Sequence, residues 1–399
     1  MGPLSDLVTT INLPAVSAAE AARGNFWMEW GVSDMLDSLE TEIFIRKTVG
    51  QLLFEGYEDT LLEIGSALGQ VEEGVELDKF GLFYKVRNGM APYVLSILKF
   101  ILQRNGTSWA DGEIEMRTGE DDIDSLGEIV SWNQANTTQA FQGDCSKLRG
   151  SAEGLFPPGL AHTSNSISIY STNLCRPLHF TKTGTNSIHG VPVTTFELDP
   201  SNFANSTNCS DNHCYNNNLP TGVQNVTQCG MKSPVFVSRP HFYQADPSYL
   251  TQFQYGLQPS PDKHNSVLWL EPVSSIPGKV NMRLQLNVLL RPMEGINLLR
   301  DVKEVMLPVL WFESLAELPE GSLDMLLLLP TIIEYSSLFI IVTSILLMLF
   351  INYHYKRKGR KECPEYSPQQ VQKLLDKEQD HIGNTVLVKT NASPKLRGP

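Results

Sequence analysis

The sequence is poor in the features that would announce an enzyme or a nucleic-acid binder. Across 399 residues, G-x-S-x-G, H-E-x-x-H, G-x-G-x-x-G and the P-loop are all absent. That excludes the familiar nucleophile elbow, zinc-protease helix and phosphate cradle. No C-x2-C pair exists and His213 is the one histidine interleaved with the clustered cysteines, which argues against a zinc site. Histidines 162, 179, 189, 213, 241 and 264 are scattered without metal-ligand spacing, and His241 in Arg239-Pro240-His241-Phe242-Tyr243 reads as structural. Glu271 with a distant Asp could serve a glycosidase, but sequence spacing cannot set the separation of two carboxylates. No cofactor is implied, and an enzyme is not the expectation. No internal repeat is visible.

Cations are also scarce outside the last 46 residues. Residues 1–353 carry 21 Lys and Arg against 39 Asp and Glu, a net charge near −18. Such a surface excludes nucleic acid as a partner and adhesion to an anionic bilayer. Between positions 29 and 78 there are thirteen carboxylates and two cations, Arg46 and Lys47. A solvated acidic face is the plain explanation, yet it would still repel anionic particles.

One long run has no charge at all. Residues 335–353 (YSSLFIIVTSILLMLFINY) are followed by HYKRKGRK. At ~1.5 Å per residue the nineteen positions span about 28 Å, the thickness of a bilayer's hydrocarbon core. The block Lys356, Arg357, Lys358, Arg360 and Lys361 favours the cytoplasmic side. The chain thus divides into a body at 1–330, a transmembrane helix at 331–353 and a cytoplasmic tail at 354–399.

The body carries N-x-[ST] sequons at Asn105, Asn136, Asn205, Asn208 and Asn225, and Cys145, Cys175, Cys209, Cys214 and Cys229. Four of these cysteines fall within 55 residues, which suits disulfides in an oxidising compartment. An extracellular or lumenal body follows. The first residues, MGPLSDLVTTINLPAV, have neither a basic n-region nor an apolar core, and Asp6 breaks the myristoylation pattern. The expectation is therefore that the functional protein has a further N-terminal hydrophobic segment.

Local patterns predict short helices over the first ~70 residues, with capping boxes at Ser17-x-x-Glu20, Thr48-x-x-Gln51 and Thr60-x-x-Glu63. Met35, Leu36, Leu39, Ile43 and Phe44 form one amphipathic face, and Phe26, Trp27 and Trp30 are either interhelical packing or an exposed contact surface. Beyond Gly81 the signal is β. Val280, Met282, Leu284, Leu286, Val288 and Leu290 alternate with Asn281, Arg283, Gln285 and Asn287, predicting a half-buried antiparallel strand. Shorter runs lie at 166–170, 191–197, 234–238, 267–270 and 305–312, with Pro192, Pro234 and Pro308 placed at edges or bulges. Helices at one end and strands elsewhere give an α+β fold with a large antiparallel sheet or barrel.

Several ordered blocks carry a family resemblance. They include Lys47-Thr48-Val49 leading to Gly56-Tyr57-Glu58-Asp59, Lys79-Phe80-Gly81-Leu82-Phe83-Tyr84, and Thr118-Gly119-Glu120-Asp121. Ile129-Val130-Ser131-Trp132-Asn133, Phe156-Pro157-Pro158, Leu174-Cys175-Arg176, CGMKSPVFVSRPHFYQADPSY at 229–249, Trp269-Leu270-Glu271-Pro272 and VMLPVLWFE at 305–313 continue them. From about Asp6 to the end of the span, the chain resembles the class B scavenger receptor family of fatty-acid translocase, the high-density-lipoprotein receptor and lysosomal integral membrane protein type 2.

The resemblance implies an antiparallel β-barrel ectodomain (80–320) crossed by a hydrophobic tunnel and capped by a helical apex (15–65), with membrane spans at both ends. It implies the disulfides Cys175–Cys229 and Cys209–Cys214, with Cys145 free. Asn105, Asn136, Asn205 and Asn225 are then the glycosylation sites, Asn208 being poorly used beside Cys209. The ligand-binding apex holds Asp34, Asp37, Glu40, Glu42, Arg46 and Lys47 where lipoprotein-binding members carry lysines. The implied partners are lipoprotein, fatty acid or sterol lipid, or a soluble protein at the apex. The implied role is a cell-surface receptor mediating lipid uptake, the alternative being a lysosomal sorting receptor for a soluble hydrolase. Cys363 is a candidate palmitoylation site. The tail favours the cell membrane over the lysosome, because Gln370 stands where an acidic dileucine signal before Leu374-Leu375 needs a carboxylate. If the body is extracytosolic, glycosidase treatment will shift the native product's mobility and intact vesicles will shield it from protease; a sugar-free, protease-exposed body would overturn this topology.

Overall fold

The computed structural model describes residues 3–62, 79–82, 113–152, 154–216, 219–229, 234–359 and 367–384. In chain order it contains β1 (Leu7–Ile11), α1 (Leu13–Ala22), α2 (Phe26–Ser38), β2 (Phe44–Thr48), β3 (Ile114–Met116) and β4 (Ile129–Trp132). There follow β5 (Ser151–Ala152), α3 (Leu160–Thr163), β6 (Ser166–Ser171), β7 (Arg176–Ile188), β8 (Val191–Leu198), β9 (Val223–Asn225) and β10 (Val235–Ser238). The last elements are α4 (Pro261–His264), β11 (Val267–Leu270), β12 (Pro277–Leu290), β13 (Val305–Glu317), α5 (Glu320–Gly359) and α6 (Pro368–Asn384). The architecture is mixed α+β, and each β run read from the sequence falls on a strand.

Among the described residues nine strands form one sheet, in the order β5-β6-β7-β8-β11-β12-β10-β9 with β13 also on β12. The 14-residue β12 is its spine. One edge of β12 pairs with β13 along 279–290; the other meets β11 near 277–281 and β10 at 285–288. Pro308 sits opposite Asn287, beside the register shift between Leu286 and Asn287, where a missing N–H is tolerated. Pro192 lies where β8 is bonded to β7 alone, because pairing with β11 begins at Thr194.

Two expectations change. The first is the polar side of β12, expected half-exposed: Asn281, Gln285 and Asn287 are all buried. The segment after β10 and helix α4 cover that face, so its amides must bond internally. Gln285 Oε1 accepts the His241 N–H at 2.8 Å, Gln285 Nε2 donates to Asn287 Oδ1 at 2.8 Å, and Asn287 Nδ2 donates to Ser238 Oγ at 3.0 Å. The second is the all-helical N-terminal region, which is interrupted by a β1–β2 pair running from Leu7↔Thr48 to Ile11↔Phe44. Phe44 therefore belongs to a strand, not to the helical face. Ser17 lies inside α1, whose cap is Asn12, its Oδ1 accepting the Ala15 N–H at 3.2 Å. The Thr48–Gln51 box is reciprocal, at 3.0 and 3.1 Å. The box at Thr60 reaches Glu63, outside the described residues.

Helix α5 contains Thr331–Arg357, 27 residues long and apolar enough to cross a membrane. Gly127 marks the junction of β4 with β5, its carbonyl accepting the Ala152 N–H at 2.7 Å. Its φ is +80°, and a Cβ there would stand 2.1 Å from the Leu155 carbonyl oxygen. Gly127→Ala is expected to cost ~2–4 kcal/mol, read as a lowered thermal or urea midpoint; an unchanged midpoint would refute this close approach.

Candidate functional site

The sheet's registers gather apolar side chains onto one wall. Val280 faces Ala316, Met282 faces Ser314 and Leu284 faces Phe312 across β12 and β13. Leu268 of β11 pairs with Val280, and Ile169 of β6 pairs with Leu178 of β7. These residues, with Phe180, Phe156, Ile114 and Ile129, line a cavity of about 330 Å³. Among the described residues its polar lining is Tyr170, Ser171, Thr172, Asn173 and Ser314, with no acidic, basic or histidine side chain. Asn173 is buried and its Oδ1 finds no hydrogen-bond partner among the described residues. An isolated ion would pay heavily for entering such a space, whereas an apolar molecule with one neutral polar group fits its chemistry.

A second surface is built by α1 and α2. Leu13, Val16, Ala19 and Ala22 of α1 and Leu36 of α2 pack on Leu290, Met293, Ile296 and Leu299. Ser33 Oγ accepts the Asn297 N–H at 3.0 Å, and Asp37 accepts from Asn297 Nδ2 at 2.6 Å. With that side of α2 engaged, its first turns project outward: Phe26, Trp27 and Trp30 are 72%, 75% and 61% exposed. Of the two options left by the sequence, these aromatics form a surface. Asp34, Asp37, Glu40 and Glu42 are exposed along the same helix and the turn after it. Arg46 is exposed on β2, while Lys47 is half-buried with its Nζ 4.8 Å from the Tyr57 ring centre. The apex candidates therefore share one region, and its charge is predominantly negative.

The cysteines require a correction. Cys175 is bonded to Cys229, with Cα atoms 5.7 Å apart. The second bridge joins Cys145 to Cys214, and Cys209 is the free thiol. Packing decides this. The one-turn helix Ser210–Asn212 buries Asn212 and carries Cys214 towards the core, where Phe141 and Tyr215 stack edge-to-face and the Tyr215 hydroxyl donates to the Cys145 carbonyl at 3.3 Å. Cys209 remains at the half-exposed start of that turn. Asn212 is fixed by Arg176, which donates to Asn212 Oδ1 at 3.0 Å and to the Asn202 carbonyl at 2.7 Å while lying 3.9 Å from the Tyr215 ring centre. Burial lowers that guanidinium to about 10, so it stays charged at neutral pH. Cys145, His213 and Cys214 place their ligand atoms within 4.8 Å of one another, but both sulfurs are spent on the S–S bond.

Glu271 is a structural carboxylate: it accepts from Val273 N at 3.0 Å, Ser274 N at 2.6 Å and Ser274 Oγ at 2.7 Å. Asn136 and Asn225 are exposed, and Asn205 is half-buried with its Oδ1 holding the Asn208 N–H. Asn105 and Cys363 lie outside the described residues. The cavity wall was legible only as strand alternation; its residues on β6 and β7 sit about 100 positions before β12 in sequence and carry no mark of their shared destination.

A membrane-anchored α+β protein with a cavity whose described lining is uncharged is the class these observations define. The sequence model of the CD36 family matches residues 1–355, and the chain belongs to that family. It is 34% identical to Protein peste of Drosophila melanogaster, over 87% of this chain and 58% of that protein. It is 26% identical to Scavenger receptor class B member 1 of Sus scrofa, over 82% and 60%, and 27% identical to Lysosome membrane protein 2 of Mus musculus, over 78% and 60%. The chain thus spans about three fifths of the length of these relatives. Non-reducing peptide mapping is expected to yield a Cys145–Cys214 linked peptide and an alkylated Cys209; a Cys209–Cys214 peptide would overturn this assignment.

Proposed function

We propose that this chain is part of a scavenger-type receptor that binds lipid or lipoprotein at its apex and takes lipid into the cavity. The observation that carries this reading is the cavity lining, apolar apart from a few neutral polar groups. In this reading the open sheet belongs to a barrel whose interior is a tunnel, and α5 anchors the chain in the membrane. Movement of lipid there needs no bond to be made or broken, so no catalytic group is required. The cell membrane is the proposed location, with the lysosomal membrane as the alternative.

Among the described residues the lining holds no cation, which makes neutral lipids better occupants than ionised fatty acids. At the apex, exposed Trp and Phe suit an interfacial surface, and neighbouring carboxylates disfavour an anionic one. The same carboxylates support a second reading, in which the apex holds a cationic soluble protein for sorting.

Ala316 lines the cavity, so Ala316→Phe would occupy its volume. Mass spectrometry of lipid extracted from the purified chain should show neutral lipid, reduced about tenfold or more in this variant at an unchanged unfolding midpoint. Undiminished lipid would remove the cavity from the proposal. Loss of soluble-protein capture in Asp34→Lys with Glu40→Lys, at unchanged lipid load, would favour the sorting reading.

A further inference from the structure

Away from the cavity and apex, two histidines from distant parts of the sequence stack face to face. The His241 and His264 rings lie 4.3 Å apart at an interplanar angle of 21°, and Trp311 stands edge-on to both. Their remaining bonds fix their protonation. His241 Nδ1 accepts the backbone N–H of Gln258 at 3.0 Å, and His264 Nδ1 accepts that of Ser260 at 2.9 Å. Each ring is therefore neutral with its proton on Nε2. A protonated imidazole has no acceptor nitrogen, so adding a proton to either ring removes the bond to the chain. Protonating both would also place two like charges in stacking contact.

Beside His264 the surroundings give an imidazolium no help; at His241 a hydrogen bond with the Gln258 backbone favours the charged ring but is outweighed by burial. Arg283 on β12 and Lys263 on α4 add positive charge beside His264. Glu313 on β13 is engaged by Arg283 and Asn281, and Asp262 meets Arg283 through its backbone carbonyl. Among the described residues neither histidine is ion-paired with a carboxylate. Burial and the neighbouring ring lower His264 to about 4, and burial lowers His241 in the same direction.

Both donated N–H groups belong to segment 251–260, which is largely exposed, with Tyr255 at its tip. That segment covers an apolar cluster of Phe242, Tyr249, Leu289 and Met306, onto which its own Phe253 and Leu257 fold. On the other side of the histidine pair the backbone is strained, with His241, Phe242 and Gln244 all at φ between 54° and 57°.

We propose that His241 and His264 form an acid-released latch: neutral, they hold segment 251–260 down; protonated, they release it and uncover the apolar cluster beneath. Folded-state values below the usual 6.5 mean that the latch contributes fully above pH ~6.5 and weakens as pH falls towards 4. That window is the one a membrane protein crosses between a neutral and an acidic compartment. The inference is independent of whether lipid fills the cavity.

Hydrogen exchange of the full chain in detergent tests it, each rate being corrected for the pH dependence of an unstructured peptide. Protection of the Gln258 and Ser260 amides should fall about twentyfold between pH 7 and pH 5, the factor that a shift from 6.5 to about 4 produces. The Leu286 amide in β12 should keep its protection. In His241→Asn with His264→Asn, the Asn oxygen stands near the Nδ1 position and cannot take a proton in this range, so the fall should vanish. Equal loss at Leu286, no loss in the wild type, or an unchanged fall in the double variant would each overturn the latch. If that variant does not fold, the His264 ring C2–H exchange titration in the wild type decides: a midpoint near 5 or below supports the latch, and one near 6.5 overturns it.

Discussion

Strand β12 bears the constraint on which the sheet depends. Fourteen residues pair with β13 on one edge and with β11 and then β10 on the other, so one backbone fixes the register of three neighbours. A slip by a single residue would exchange its two faces. Val280, Met282 and Leu284 would leave the cavity, and Asn281, Arg283 and Gln285 would enter it. The bulge beside Pro308 and the amide bonds of Gln285 and Asn287 hold the register that makes the cavity apolar.

Charge is partitioned with the same economy. The body is strongly acidic, yet among the described residues no carboxylate lines the cavity. Where cations are buried, as at Arg176 and Arg239, carbonyls, amide oxygens and tyrosine rings surround them. These buried guanidiniums bind loops to strands; breaking such a network is costly because the charge left behind has no water. Surface and interior thus offer different chemistries: outside, aromatic groups among carboxylates; inside, a neutral apolar space.

Sequence patterns revealed the strands well because period-two alternation is a direct imprint of a pleated sheet on the order of residues. They revealed β12 but misjudged its polar face, since covering by the His241 segment and α4 is a long-range event. The apex helices were legible from their apolar spacing. The β1–β2 pair was not, because Leu7 to Ile11 finds its partner nearly forty residues later. The Cys145–Cys214 bridge was missed for a related reason: pairing follows which sulfurs the fold brings together, and Cys145 sits 69 residues from its partner.

The sequence alone determined a chain with one bilayer-length apolar helix, an acidic body, a β-rich architecture and a family membership carried by many ordered blocks. Those properties are local or additive, being sums over composition, periodicity and spacing. Tertiary structure alone decided the neutral lining of the cavity, the outward aromatic turn of α2, the second disulfide and the stacking of His241 on His264. Each of these depends on distances between residues far apart in the chain, and such distances exist only once backbone pairing and burial have chosen a single register.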